Sequence, residues 1–165
     1  MPEKGSRLNA LLTRAGAAVL CCCLAMAAGA APPKTIEPFD GKTWKTLSAD
    51  VKKPTIVIFS ATYCTHCPAV IQKIAKDKAE LGGKVSLIGV VMDEEPPGLL
   101  AKPPYNRVDR VFVFEGHEQA VRYTINPEWR GITPYVAFMA PGKPVKFFTG
   151  APPARELGQF LALAR

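Results

Sequence analysis

Cysteine and histidine are scarce in this chain once its first thirty residues are set aside. The 165-residue sequence contains five cysteines and two histidines, but Cys21, Cys22 and Cys23 all lie near the N-terminus. Only Cys64 and Cys67 remain beyond residue 30. Two cysteines exclude a small domain held together by several disulfides. A four-ligand zinc site would require every cysteine and histidine of that region. The remaining pair is therefore either a single structural bond or a reactive group.

Runs of basic residues are also absent. The net charge is +7, and it falls to +5 without residues 1–30, which contain Lys4, Arg7, Arg14 and Glu3. The other lysines and arginines are scattered, with no interleaved aromatic residues. This distribution is typical of an ordinary solvated surface, so we expect no nucleic-acid binding.

The N-terminal region lacks the apolar strength of a membrane span. Residues 15–31 carry no charge, but they are mostly small and fall short of the ~20 strongly apolar residues that a transmembrane helix needs. Basic residues precede this stretch, and Ala28-Gly29-Ala30 ends it as a small-x-small cleavage site. We therefore expect residues 1–30 to be a signal peptide cleaved near Ala30, and the protein to be exported to the periplasm of a bacterium. The alternative is a retained membrane anchor.

The most informative stretch is residues 54–68. An apolar, β-branched run over residues 55–59 predicts a central strand, and the apolar spacing from about Thr65 to Leu81 predicts a helix. Between them, Cys64 and Cys67 stand at the expected helix start, where unpaired N–H groups and the helix dipole favour a thiolate. Strand, short turn, Cys-x-x-Cys and helix form the arrangement that a dithiol redox centre needs.

The rest of the chain predicts one α/β domain over residues 54–165, preceded by a leader and a first short element over residues 31–53. The two strands that flank the first helix should be parallel, and a tight turn predicts a hairpin near the C-terminus. The sum is a mixed sheet with helices on both faces. Further strands are expected at residues 84–92, 110–114, 135–139 and 145–148, and further helices at 117–125 and 154–164.

Three motifs stand out along the chain: Ser60-Ala61-Thr62-Tyr63-Cys64-Thr65-His66-Cys67, Gly131-Ile132-Thr133-Pro134 and Phe148-Thr149-Gly150. They resemble those of the thioredoxin fold superfamily. In size and layout the chain is most similar to exported thioredoxin-like proteins of the thiol:disulfide interchange and cytochrome-maturation kind. This resemblance covers about residues 54–165 and implies a three-layer fold with a short central strand-helix insertion at residues 110–125.

The resemblance also implies roles for particular residues. Cys64 would be the exposed nucleophile and Cys67 the buried resolving thiol of a redox-active disulfide that needs no other cofactor. Pro134 would be a cis-proline facing the disulfide, and Thr133 would offer backbone hydrogen bonds to a substrate. The implied activity is that of a thiol:disulfide oxidoreductase. It would act on protein thiols and disulfides and would have a redox partner protein. The composition gives no reason to expect an obligate dimer, so we expect a monomer.

The pair between the cysteines, Thr65 and His66, is expected to stabilise the reduced thiolate. We therefore predict a potential above the ~−270 mV of thioredoxin and below the ~−120 mV extreme of this chemistry. The chain also departs from its relatives beneath the cysteines. Ile58 stands where thioredoxins carry a buried acid, and Val70 stands where some cytochrome-maturation proteins carry a carboxylate. The sequence therefore shows no proton acceptor for Cys67 at either place.

Other functions remain open at this point. Cys64 and Cys67 could form a structural disulfide, or they could hold Cu(I) through two thiolates. A binding protein could use only the groove beside Pro134. Hydrolase chemistry is not supported, because the sequence indicates no His or Asp partner for Ser60 or Thr62. Two residues remain ambiguous: His117 is expected at the surface or a helix start, and Trp129 could line a groove or pack in the core.

Overall fold

The computed structural model describes residues 35–165, so the expected signal peptide lies outside the described residues. This part of the chain forms one six-stranded sheet with four α-helices. None of the helices within it is both long and apolar enough to cross a membrane. The strands are β1 (Ile36–Phe39), β2 (Thr55–Ser60), β3 (Ser86–Val91), β4 (Arg110–Phe114), β5 (Tyr135–Met139) and β6 (Lys146–Thr149). The helices are α1 (Gly41–Ala49), α2 (Cys67–Ala79), α3 (Glu118–Ile125) and α4 (Ala154–Ala162).

The strands follow the order β1-β4-β3-β2-β5-β6 across the sheet. The first four of these strands are parallel, whereas β5 runs antiparallel to β2 and pairs with β6 as a hairpin at the edge. All six residues of β2 are buried, as expected for a strand covered on both faces. The mixed sheet, the parallel pairing of β2 with β3 and the edge hairpin are therefore confirmed.

The two faces of the sheet carry separate apolar clusters. Side chains alternate along a strand, so Ile56 and Ile58 pack with the apolar sides of α2 and α4. Val57 and Phe59 point to the other face, where they pack with residues of α1 and α3. The result is the predicted three-layer arrangement, with the sheet between two layers of helices.

The folded unit begins before residue 54. β1 pairs in parallel with β4, and Trp44 of α1 is buried in the core. Pro38 fits in β1 because this is an edge strand, where a missing N–H leaves no gap in the ladder. The sheet therefore includes residues that the sequence analysis assigned to the leader and the first short element.

The predicted insertion over residues 110–125 contributes an inner strand to the sheet. β4 has the predicted bounds and pairs with β1 on one side and with β3 on the other. The loop between β3 and β4 is rich in proline, and it contains two short 3-10 turns, Leu99–Ala101 and Tyr105–Arg107. The loop therefore packs a buried Leu99 and a half-buried Tyr105 against the sheet.

Candidate active site

A disulfide joins Cys64 and Cys67 at the junction between β2 and α2, with an S–S distance of 2.05 Å. The Cys64 N–H donates to the Ala61 carbonyl at 3.0 Å, which closes a turn directly after the strand. Cys67 begins α2, and its N–H lies 3.2 Å from the Cys64 Sγ. Cys67 is 1% exposed, whereas Cys64 is partly exposed. An incoming thiolate can therefore reach the outer sulfur, while the inner one is closed off.

Thr65 and His66 form the turn between the two cysteines, and both are exposed. The helix was expected to begin at Thr65, but it begins two residues later because these residues belong to the turn that closes the disulfide. His66 holds the N-cap position, and Pro68 stands in the first turn. The imidazole is therefore close in sequence to Cys64 and open to solvent.

The loop before the cysteines is held by Asp93, which follows β3. Its two carboxylate oxygens accept the Thr62 N–H at 2.9 and 3.0 Å, and one of them also contacts the Thr62 hydroxyl. The sequence analysis did not predict a partner for Thr62. This Asp fixes the start of the Cys-x-x-Cys turn, since the bonded N–H lies two residues before Cys64.

Thr133 and Pro134 lie on the neighbouring strand at the same end of the sheet. Tyr135 of β5 pairs with Phe59 of β2, so the two residues before it stand level with the end of β2. The Thr133–Pro134 peptide bond is cis. The Pro134 carbonyl accepts the Gly150 N–H at 2.7 Å, which links the second and third sequence motifs directly.

The loop that leads into Pro134 is anchored by aromatic packing. Trp129 is 5% exposed and stacks on Tyr135, with the ring centroids 4.4 Å apart. Its indole N–H donates to the Ile132 carbonyl at 3.1 Å, and Asn126 donates to the Tyr135 hydroxyl at 2.7 Å. Burial raises the pKa of Tyr135, although the Asn126 hydrogen bond opposes this. Trp129 is therefore a core residue that holds the loop.

We expect Gly131→Ala to destabilise this loop. Gly131 has φ +82°, which disfavours a side chain, and an added Cβ would lie 2.9 Å from a guanidinium nitrogen of Arg122. A control is Gly142→Ala, since Gly142 has φ +67° and open space around its Cβ position. Both variants should lose about 1 kcal/mol in the free energy of unfolding through the backbone. Gly131→Ala should lose more, because the added Cβ would displace Arg122 from its contacts with Glu118 and the Trp129 carbonyl. Urea unfolding measures the difference; equal losses would contradict a role for the Arg122 contact.

Two large apolar side chains are exposed on the segments that carry the disulfide and the Thr133–Pro134 bond. Tyr63, which precedes Cys64, is 76% exposed, and Ile132, which precedes Thr133, is 58% exposed. Both belong to segments that meet at this end of the sheet. Each of the two segments that carry the predicted site residues therefore exposes one large apolar side chain.

No protein-family model matches the sequence, and neither does any curated protein. Solved structures do match it. MTB dsbF, in its mixed oxidized and reduced forms, is 19% identical, with a TM-score of 0.50 over 73% of this chain and 85% of that chain. A thioredoxin-like protein in the oxidized form is 15% identical, with a TM-score of 0.50 over 67% and 78% of the two chains. This chain has a thioredoxin-like fold. A thio-disulfide isomerase from Thermus thermophilus is 20% identical, with a TM-score of 0.49 over 71% and 82%.

The thioredoxin-like fold brings the six predicted site residues to one end of the sheet. Four of them form the turn at the end of β2, and the other two precede β5. Their chemical roles stay predictions. Among residues 35–165, no group of three or more His, Cys, Asp and Glu side chains is arranged to hold a metal ion. The six predicted site residues named at the start of this paragraph are Cys64, Thr65, His66, Cys67, Thr133 and Pro134.

Sequence reasoning missed a second polar contact at this end. The Ser60 hydroxyl, at the end of β2, lies 2.9 Å from the Tyr105 hydroxyl in the loop between β3 and β4. The two residues are 45 positions apart, and Tyr105 follows a loop whose path the sequence did not indicate. The sequence offered one indication of this contact, which is that the polar Ser60 ends the otherwise apolar strand β2.

Proposed function

We propose that the protein is an exported thiol:disulfide oxidoreductase that exchanges disulfides with protein substrates. The observation that supports this most strongly is the pairing of an accessible Cys64 with a buried Cys67 in a disulfide at the end of the central strand. A structural disulfide has no need of one accessible sulfur beside an apolar surface. The thioredoxin-like fold and the exposed Tyr63 and Ile132 support a polypeptide substrate.

The reducing direction begins with both cysteines reduced. The Cys64 thiolate attacks a substrate disulfide, forms a mixed disulfide and releases the first substrate thiolate. The Cys67 thiolate then attacks the Cys64 sulfur, which forms the Cys64–Cys67 bond and releases the second substrate thiolate. The substrate gains two electrons and the protein loses two. The oxidising direction runs the same steps backward, and a redox partner protein resets the pair.

Thiolate attack makes Cys64 the residue on which turnover depends. Cys64→Ser should reduce the rate of insulin disulfide reduction to that of the uncatalysed reaction, because a serine hydroxyl cannot form the mixed disulfide. The parent for this comparison carries Cys21→Ser, Cys22→Ser and Cys23→Ser, so that the pair supplies the only thiols. Turnover by Cys64→Ser at the parent's rate would contradict the proposal.

We expect His66→Ala to lower the reduction potential of the pair. His66 belongs to the turn between the cysteines, and an imidazole there would favour the thiolate of the reduced form and make the disulfide more oxidising. A loss equivalent to one pKa unit at Cys64 corresponds to ~30 mV. The measurement is equilibration with glutathione buffers.

The matched control for His66→Ala is His117→Ala. His117 is the other histidine of the chain and precedes α3, which packs on the opposite face of the sheet from α2. Its replacement should leave the potential unchanged. Equal potentials for His66→Ala and the parent would contradict a role for His66 in tuning Cys64.

Export rests on the sequence of residues 1–30. Mass spectrometry of protein secreted by a bacterial host should find an N-terminus at Ala31, directly after the Ala28-Gly29-Ala30 site. An intact N-terminus on membrane-bound protein would instead support the retained anchor.

A further inference from the structure

Ser60 and Tyr105 form a pair of hydroxyls that the exchange steps above do not use. Ser60 is 0% exposed, and its hydroxyl donates to the Val90 carbonyl at 3.2 Å. The Tyr105 hydroxyl lies 2.9 Å from the same Ser60 oxygen. Because the Ser60 hydrogen is directed to Val90, Tyr105 is the donor of this second bond. Ser60 therefore both donates and accepts in a buried position.

Ser60 shares one face and one end of the sheet with Cys67. Side chains two residues apart point to the same face, so Ser60 follows Ile56 and Ile58 on the side covered by α2. α2 connects the end of β2 with the start of the parallel β3, so it runs back along the sheet. Its first residue, Cys67, therefore lies at the end of β2 that Ser60 occupies.

Tyr105 reaches Ser60 from across the neighbouring strand. Its turn packs against α2, and an added Cβ on Gly89 would lie 3.5 Å from the Tyr105 ring. Gly89 is the register partner of Ile58, the position where the resemblance places a buried acid. The ring thus lies beside that position, and its hydroxyl points to the cysteine end.

The Tyr105 hydroxyl is suited to donate. Burial raises the pKa of Tyr105; the Ser60 hydrogen bond opposes this, and the charge of Asp93 adds to it. The phenol therefore stays protonated at neutral pH. The other charged or titratable groups of the surrounding loops are Tyr63 and His66 around the cysteines, Glu94 and Glu95 after β3, and Lys102, Arg107 and Asp109 around Tyr105.

Within residues 35–165, three non-aromatic polar side chains are buried, and Ser60 is the one at the disulfide end of the sheet. The other two are Thr55, at the start of β2, and Lys78, near the end of α2. Both lie at the opposite end of the sheet. Because Cys67 is 1% exposed, its thiolate cannot be stabilised by bulk water and requires a donor from the protein.

We propose that the Ser60 hydroxyl, supported by Tyr105, donates a hydrogen bond to the Cys67 thiolate of the reduced protein. The inference rests on the proposed function. When a substrate thiolate attacks Cys64, the Cys64–Cys67 bond breaks and Cys67 leaves with both bonding electrons. The Ser60 hydrogen then turns from the Val90 carbonyl to this sulfur, since a hydroxyl can rotate. Tyr105 continues to donate to Ser60, which strengthens the bond.

The test is a pH titration of the reduced protein, in the background that lacks Cys21, Cys22 and Cys23. Selective ¹³C labelling of the cysteine Cβ atoms reports Cys64 and Cys67 separately. Ser60→Ala should raise the pKa of Cys67 by about one unit or more, the effect of losing one hydrogen bond to a charged group. Tyr105→Phe should raise it less, and the pKa of Cys64 should stay within ~0.3 units in both variants.

The matched control is Thr55→Val, which removes a buried hydroxyl from the other end of β2. The Thr55 hydroxyl donates to the Lys53 carbonyl at 2.9 Å, so loss of this hydroxyl should leave the pKa of Cys67 unchanged. The assignment would be overturned if the pKa of Cys67 were unchanged in Ser60→Ala, or if Thr55→Val shifted that pKa equally. If Ser60→Ala does not fold, Tyr105→Phe decides by the same criterion.

Insulin reduction by the same proteins separates this inference from the proposed function. If the parent exchanges disulfides but Ser60→Ala leaves the pKa of Cys67 unchanged, the Ser60 assignment is overturned and the proposed function stands. A parent that catalyses no exchange would overturn both.

Discussion

Cys67→Ser is expected to convert the protein into a trap for its substrates. Cys64 can still attack a substrate disulfide, but the buried Cys67 that would release the mixed disulfide is missing. Covalent complexes should therefore accumulate to a large fraction of the protein, whereas the parent should show almost none. Non-reducing electrophoresis detects them, and mass spectrometry then identifies the trapped substrates and the redox partner.

The control for trapping is the double variant Cys64→Ser/Cys67→Ser. It keeps the exposed Tyr63 and Ile132, so complexes that depend on the apolar surface alone would persist in it. Covalent complexes should disappear. If Cys67→Ser traps nothing and the parent instead binds Cu(I) through both thiolates, the protein handles copper and exchange is not its function.

Asp109→Ala is expected to destabilise the fold strongly. Lys78 of α2 and Asp109 form an ion pair, with side-chain exposures of 8% and 23%. The other carboxylate oxygen of Asp109 accepts the Leu87 N–H at 2.7 Å. The variant would leave a buried ammonium group and a backbone N–H without partners. We expect a loss of about 3 kcal/mol in the free energy of unfolding, measured in urea.

The same helix supplies a control. Lys73 and Asp77 form an ion pair one turn apart, with side-chain exposures of 58% and 31%. Asp77→Ala should cost no more than about 0.5 kcal/mol, because water screens such a pair. The double variant Lys78→Met/Asp109→Asn should recover at least half of the loss, since it removes the buried charge and keeps an acceptor for Leu87. Equal losses in Asp77→Ala and Asp109→Ala would contradict the importance of burial.

Local patterns predicted the elements around the disulfide. The apolar run of β2, the helical spacing after Cys67 and the turn between β5 and β6 each depend on neighbouring residues, so they could be read directly. β4 has the predicted bounds for the same reason. The order of these elements predicted a mixed sheet with helices on both faces, and the resemblance of the three motifs then implied the thioredoxin-like fold.

Contacts between distant segments could not be predicted in this way. The pairing of β1 with β4 joins residues about 75 positions apart, and Pro38 weakens the strand signal of β1. Asp93 bonds to Thr62 from 31 positions away, and Tyr105 contacts Ser60 from 45 positions away. The sequence therefore indicated the cysteine pair. It did not indicate that Asp93 holds the loop before the cysteines, or that the Ser60 and Tyr105 hydroxyls are in contact.

The reduction potential of the Cys64–Cys67 pair tests the central proposal most directly. Equilibration with defined glutathione buffers, followed by alkylation and mass spectrometry, gives the fraction of disulfide at each potential. An exchange enzyme with His66 beside Cys64 should have a potential between about −270 and −120 mV. A pair that stays oxidised below about −300 mV would be a structural disulfide and would contradict the account.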